Sequence, residues 1–103
     1  MKVLDSKNWA YFLFEHEGHL YLDVNCNMSA LGYTYMVQLN NTELESYESA
    51  GREFLRKLAH DIHDSVPIAK NTGSLYKDRD VSSEFSDLAT EAVKIWRDTN
   101  NER

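Results

Sequence analysis

The stretch Phe14 to Met28, FEHEGHLYLDVNCNM, constrains what this chain can fold into more than any other. Leu20, Leu22, Val24, Cys26 and Met28 alternate with Tyr21, Asp23, Asn25 and Asn27. A period of two belongs to a half-buried strand, because successive side chains leave a strand on opposite faces. Upstream, Trp9 to His16 (WAYFLFEH) is separated from it only by Glu17-Gly18, a tight-hairpin signal. Downstream of SALG, Tyr33 to Asn40 (YTYMVQLN) alternates again.

Loop length fixes an expected register. A two-residue turn pairs His16 with His19, Leu13 with Leu22, Tyr11 with Val24 and Trp9 with Cys26. A four-residue turn over Ser29 to Gly32 pairs Met28 with Tyr33, Cys26 with Tyr35, Val24 with Val37 and Leu22 with Leu39. All three apolar sets then share one face, which predicts a three-stranded antiparallel meander.

Helical periodicity takes over after Asn40. Thr42 and Glu45 have capping-box spacing, and Leu44, Tyr47, Gly51, Phe54, Leu55, Leu58 and Ile62 recur at helical intervals up to Pro67, the expected stop. Gly51 inside this stripe reads as a close approach to a neighbouring element. A last helix, Ser83 to Asp98, is expected to bury Phe85, Leu88, Ala89, Ala92, Val93 and Trp96. The predicted architecture is α+β, one domain over 1–103, with two amphipathic helices packed on the leucine face of the sheet (βββαα). The connection over 66–82 is long enough to be a candidate functional loop or a wrap over the core.

In that arrangement the other sheet face carries Phe12, Phe14, Tyr21 and Met36 beside Asp23, Asn25, Asn27, Thr34, Gln38 and His19. Two phenylalanines two residues apart are seldom left in water, so a cover is expected: the long loop, a second copy of the chain, or another protein. An aromatic centre with a polar rim is also the composition of a protein interface.

The net charge of −6 is concentrated. Residues 42–65 hold six acids against three bases and residues 78–103 seven against four. Such a field repels nucleic acid and attracts basic surfaces, so direct nucleic-acid binding is disfavoured. No segment approaches the roughly 20 apolar residues of a membrane span, and MKVLDSKN has no apolar run behind its lysine, so a cytoplasmic protein is expected. A single cysteine excludes an internal disulfide and a cysteine-based zinc site.

Catalytic and metal motifs are weak. His16 and His19 flank the hairpin turn, and His60, His63 and Asp64 crowd the first helix, but each set falls short of a closed ligand shell. Cys26, on the apolar strand face, reads as an inert buried thiol. No serine elbow or phosphate-cradling loop occurs. No cofactor and no enzymatic activity are expected.

The expected function is a small acidic binding module, most concretely an inhibitor or immunity-type protein that neutralises a basic partner such as a nuclease toxin. Two surfaces qualify: the sheet platform of Phe12, Phe14, Tyr21, Asp23, Asn25 and Met36, or the acidic helix stripe of Glu84, Asp87, Glu91 and Asp98. The alternatives are a structural homodimer through the sheet face, a small acidic secretion chaperone, and a histidine-based metal-binding regulator.

Overall fold

The computed structural model describes residues 1–7, 10–28, 31–65 and 79–100, with side chains for all of these except 26–28, 31–33, 65 and 100. Four strands, β1 (Lys2–Lys7), β2 (Tyr11–His16), β3 (His19–Met28) and β4 (Leu31–Gln38), form an antiparallel sheet in the order β1-β2-β3-β4. Three helices follow: α1 (Asn41–Ala50), α2 (Arg52–Ser65) and α3 (Ser82–Asn100). The mixed α+β class is as expected, but the sheet has one strand more and the helices number one more.

The Glu17-Gly18 hairpin forms as its sequence requires. Both turn residues have positive φ, 51° and 81°, the backbone twist that matches the flanking strands. It pairs His16 with His19, Leu13 with Leu22 and Tyr11 with Val24. Trp9, the expected partner of Cys26, lies outside the described residues. Across β3 and β4, Leu22 faces Val37, Val24 faces Tyr35 and Cys26 faces Tyr33, two residues away from the expected register. Met28 faces Leu31, so the connection is two residues rather than four. A shift of two keeps every side chain on its own face, and hydrophobic alternation cannot distinguish the two registers.

Strand β1 escapes the alternation rule because its pairing with β2 slips between Val3 and Asp5. The irregularity puts Val3 against the aromatic face and sends Asp5 to the opposite face. There the Asp5 carboxylate accepts two hydrogen bonds from Arg52 of α2, at 2.5 and 3.0 Å. Exposed Lys2, Leu4 and Lys7 mark this as an edge strand, and lysines on an edge oppose intermolecular pairing.

The expected single helix after Asn40 is two. Asn40, not Thr42, caps α1: its side chain accepts from the Glu43 N–H and the Glu43 carboxylate accepts from the Asn40 N–H, each at 2.9 Å. Gly51 ends α1 with φ +61° and ψ −133°, donating its N–H to the Tyr47 carbonyl at 2.7 Å. A Cβ there would meet nothing within 4 Å, so the glycine serves the backbone turn and not a close approach. Pro67 lies outside the described residues, and α2 ends at Ser65.

Helix α2 packs on the leucine face. Leu55, Leu58, Ala59 and Ile62 close over Tyr11, Leu13, Leu22, Val24, Tyr35, Val37 and Leu39. Helix α3 does not join it there, which corrects the expected placement of both helical segments on one face. Ala89 and Ala92 of α3 bury Phe14, Tyr21 and Met36, with Val3, Phe12, Phe85 and Val93 packed around them. The sheet is thus the middle of three layers, with an apolar core on each side.

The chain enters α3 by adding to the β4 edge. Asp80 bridges Val37 in antiparallel sense, the Val81 N–H donates to the Met36 carbonyl at 2.8 Å, and the Met36 N–H donates to the Asp80 carboxylate at 3.1 Å. Just before it, Arg79 donates to both carboxylate oxygens of Glu43, at 2.7 and 3.0 Å, and to the Gln38 carbonyl at 2.8 Å. These bonds cover the edge and fix where the chain passes to the aromatic face. Of the expected 66–82 loop, residues 66–78 lie outside the described residues.

Candidate functional site

The aromatic platform exists as a set of residues but not as a surface. Phe14, Tyr21 and Met36 are buried, and Phe12 is half-buried. Trp96 meets the Phe12 ring edge-on at 5.6 Å, and Phe85 lies 4.7 Å from the Tyr21 ring. Neither a partner protein nor a second copy can use this face while α3 occupies it; the expected cover was the loop, a copy or a partner, and the observed cover is the chain's own last helix. Asp23, which the register places between Phe12 and Met36, and Asn25, two residues farther along β3, remain partly accessible.

The acidic stripe is where the sequence puts it. Glu84, Asp87, Glu91 and Asp98 are exposed on the outer side of α3. Two apolar residues stand among them, Leu88 at 41% and Ile95 at 56% exposure. Positions 84, 88, 91, 95 and 98 are separated by alternating steps of four and three, so they form a continuous strip along one flank of the helix. Leu88 was expected in the buried stripe. Its position lies to one side of the Phe85, Ala89, Ala92 and Trp96 line that reaches the sheet, which is why it stays accessible.

The other flank of α3 overhangs a groove of about 700 Å³. Asp23 and Asn25 of β3, Thr34 of β4, and Ser86 and Thr90 of α3 line it, with Lys94 and Arg97 farther along the helix. The Asp23 Oδ1 atom is buried without a hydrogen-bond partner. Burial, and secondarily the charge of Asp80, push its carboxyl up to about 6. Sequence marked Asp23 and Asn25 but missed Asp80, Ser82, Ser86 and Thr90, whose small polar side chains carry no pattern of their own. A larger hollow, about 1010 Å³, runs along α1 and α2. Its charged lining of Glu45, Glu53, Arg56 and Lys57 is exposed, and Arg56 pairs with Glu53 at 2.9 Å, so nothing there is prepared for a ligand.

The histidines have other occupations. His16 packs edge-on against Phe85 at 5.8 Å, and His19 Nδ1 lies 3.2 Å from the Gln38 amide nitrogen. His60 and Asp64 meet at 2.9 Å as an exposed i, i+4 pair. Among the described residues, no three metal-ligating side chains come together. The side chain of Cys26 lies outside the described residues. No described helix is long and apolar enough to cross a membrane.

Glu43 shows how the acidic surface is anchored. Burial raises its carboxyl, but the hydrogen bonds and charge of Arg79 and the Asn40 N–H outweigh this and hold it below its ordinary value. Compared with protein families, curated proteins and solved structures, the chain matches none. Its function must therefore be read from these surfaces.

Proposed function

We propose that this chain is a small acidic protein-binding module that docks the outer flank of α3 onto a basic protein surface, in the manner of an inhibitor or immunity-type protein that blocks a basic partner such as a nuclease toxin. The observation that carries the reading is the strip of Leu88 and Ile95 between Glu84, Glu91 and Asp98. Large aliphatic residues held in water among carboxylates suit an interface whose apolar anchors slow dissociation and whose charges speed encounter. The net charge of −6 adds a long-range attraction to any cationic partner. With the aromatic sheet face covered by α3, this flank is the one of the two surfaces marked in the sequence that stays open to a partner.

A photoreactive amino acid at position 88, in the full chain in its native cells, would attach covalently to whatever docks there. The captured protein is then purified and titrated against wild type, a Leu88→Ala/Ile95→Ala double variant and Glu91→Lys. The proposal expects a basic protein, binding weakened at least about tenfold by either variant, as hot-spot truncation and charge reversal would do, and affinity that falls as salt rises. A partner whose affinity ignores both variants and the salt concentration would refute it.

A further inference from the structure

The outer strip of α3 repeats every seven residues. Leu88 and Ile95 occupy one equivalent position of the repeat, and Glu84, Glu91 and Asp98 the other. At a helical rise of about 1.5 Å per residue the two aliphatic anchors stand about 10 Å apart. A stripe of this period stays in register with a second helix lying at a shallow angle, whereas a steeply crossing helix reaches one anchor only. An extended segment covers about 10 Å in roughly three residues, an odd number, so its two contacting side chains would leave from opposite faces.

The acids of the strip are not neutralised from within. Among the described residues the arginines pair Asp5 with Arg52, Glu53 with Arg56 and Glu43 with Arg79, and both histidine pairs end on Asp64. None of these pairs includes Glu84, Glu91 or Asp98. Lys94 and Arg97 line the groove on the other flank, which Asp98 also borders where the strip ends. Burial, then the charges of Glu84 and of Glu17 at the hairpin turn, raise the Tyr21 hydroxyl above its ordinary value, so the negative potential continues from the strip onto the turn. A second copy of the chain fails as occupant in either direction. Parallel strips would set Glu84 and Glu91 against themselves, and antiparallel strips would set Leu88 against Glu91 and Ile95 against Glu84.

We infer, resting on the docking role proposed for α3, that the occupant of this flank is an amphipathic basic helix of the partner protein lying alongside α3. It carries aliphatic residues seven apart against Leu88 and Ile95, and lysine or arginine at the other seam position against Glu84, Glu91 and Asp98.

Titration of the ¹⁵N-labelled full chain at physiological salt with three peptides of three heptads each, all stapled to hold the helix, tests this. The first has leucine at one seam position and lysine at the other, the second replaces the lysines with glutamates, and the third keeps the composition of the first with the repeat scrambled. The first is expected to give saturable shifts centred on residues 84–98 and to bind at least about tenfold more tightly than the third, with no binding of the second. Leu88→Ala/Ile95→Ala should weaken the first peptide at least about tenfold. Glu91→Lys/Asp98→Lys should weaken it likewise and gain binding of the glutamate peptide, a gain that a damaged fold could not produce. Equal binding of the scrambled peptide, no exchange of preference in the double reversal, shifts confined to the flank of Lys94 and Arg97, or no saturable shifts with any peptide would overturn the inference. If the protein captured at position 88 still loses affinity in Leu88→Ala/Ile95→Ala when one of those results is found, the docking role stands and only the helical form of the partner falls.

Discussion

Replacing Asp23 with Asn removes a charge from a place where the fold gives that charge little in return. The carboxyl titrates near 6 in the folded chain against an ordinary value of 3.8. A difference of about two pH corresponds to about 3 kcal/mol of preference for the neutral form, and residual solvent access lowers the expected effect to ~2 kcal/mol. Because the folded value is raised, the folded chain binds more protons than the unfolded chain between about pH 4 and 6, and stability falls as pH rises through that window. Below it both states are protonated and the charge plays no part. Above it the full penalty stands. Asp23→Asn is therefore expected to stabilise the chain by ~2 kcal/mol at pH 8, with almost no effect at pH 3.5 and a flatter pH profile between. Urea titration followed by circular dichroism reads this as a midpoint increase of roughly 1–2 M at pH 8, taking a slope of ~1–2 kcal/mol per M for a chain of this size. A loss of stability at pH 8, or the same gain at pH 3.5 and 8, would show that the buried oxygen is well satisfied and the reasoning wrong.

Other substitutions separate the buried side of α3 from its exposed side. Phe14→Ala, at a fully buried ring, is expected to destabilise by ~3–5 kcal/mol, whereas Leu88→Ala should change the same urea midpoint by little more than its helix propensity allows, ~0.5 kcal/mol or less. Asn40→Ala removes the side-chain oxygen that accepts from the Glu43 N–H, leaves the backbone bond to the Glu43 carboxylate, and should lower stability by ~1 kcal/mol, measured by thermal unfolding, while Thr42→Ala should not. Gly51→Ala forces a side chain into φ +61° and should destabilise by ~1 kcal/mol or more, although no neighbour stands in its way.

The central hairpin was legible because its turn chemistry and its alternation agree, and Glu17-Gly18 leaves one register. The β3–β4 register was not, since alternation repeats every two residues and the observed pairing of Leu22 with Val37 satisfies it as well as Leu22 with Leu39. Strand β1 was hidden by the slip between Val3 and Asp5, which interrupts the period that identifies a strand. The α1 cap stands two residues before the position expected from sequence: Thr42 with Glu45 reads as the capping box, but Asn40 with Glu43 has the same spacing and the extended backbone at Asn40 makes it the cap.

The side of the sheet that α3 takes is the largest difference, and its cause is general. A helical stripe such as Phe85, Ala89, Ala92 and Trp96 says that a helix must be covered, but nothing in its period says by which face. The signal that does bear on the choice was the unexplained pair Phe12 and Phe14: an apolar stripe without a site and an aromatic face without a cover satisfy one another. For the candidate site, the acidic residues of α3 could be read directly, because charge on a helix surface needs no tertiary context. Exposure of Leu88 and Ile95, and convergence of Asp23 with Asp80, depend on where α3 lies and could not.

The account rests on α3 lying across the aromatic face, which both removes the sheet as a docking surface and leaves Leu88 and Ile95 in water. Side-chain NOEs of the full chain in solution test it directly. Cross-peaks from Trp96 to Phe12 and from Phe85 to Tyr21 are predicted, with none from either residue to Leu55 or Ile62. Trp96 or Phe85 in contact with Leu55 or Ile62 would put the helix on the leucine face and contradict the account.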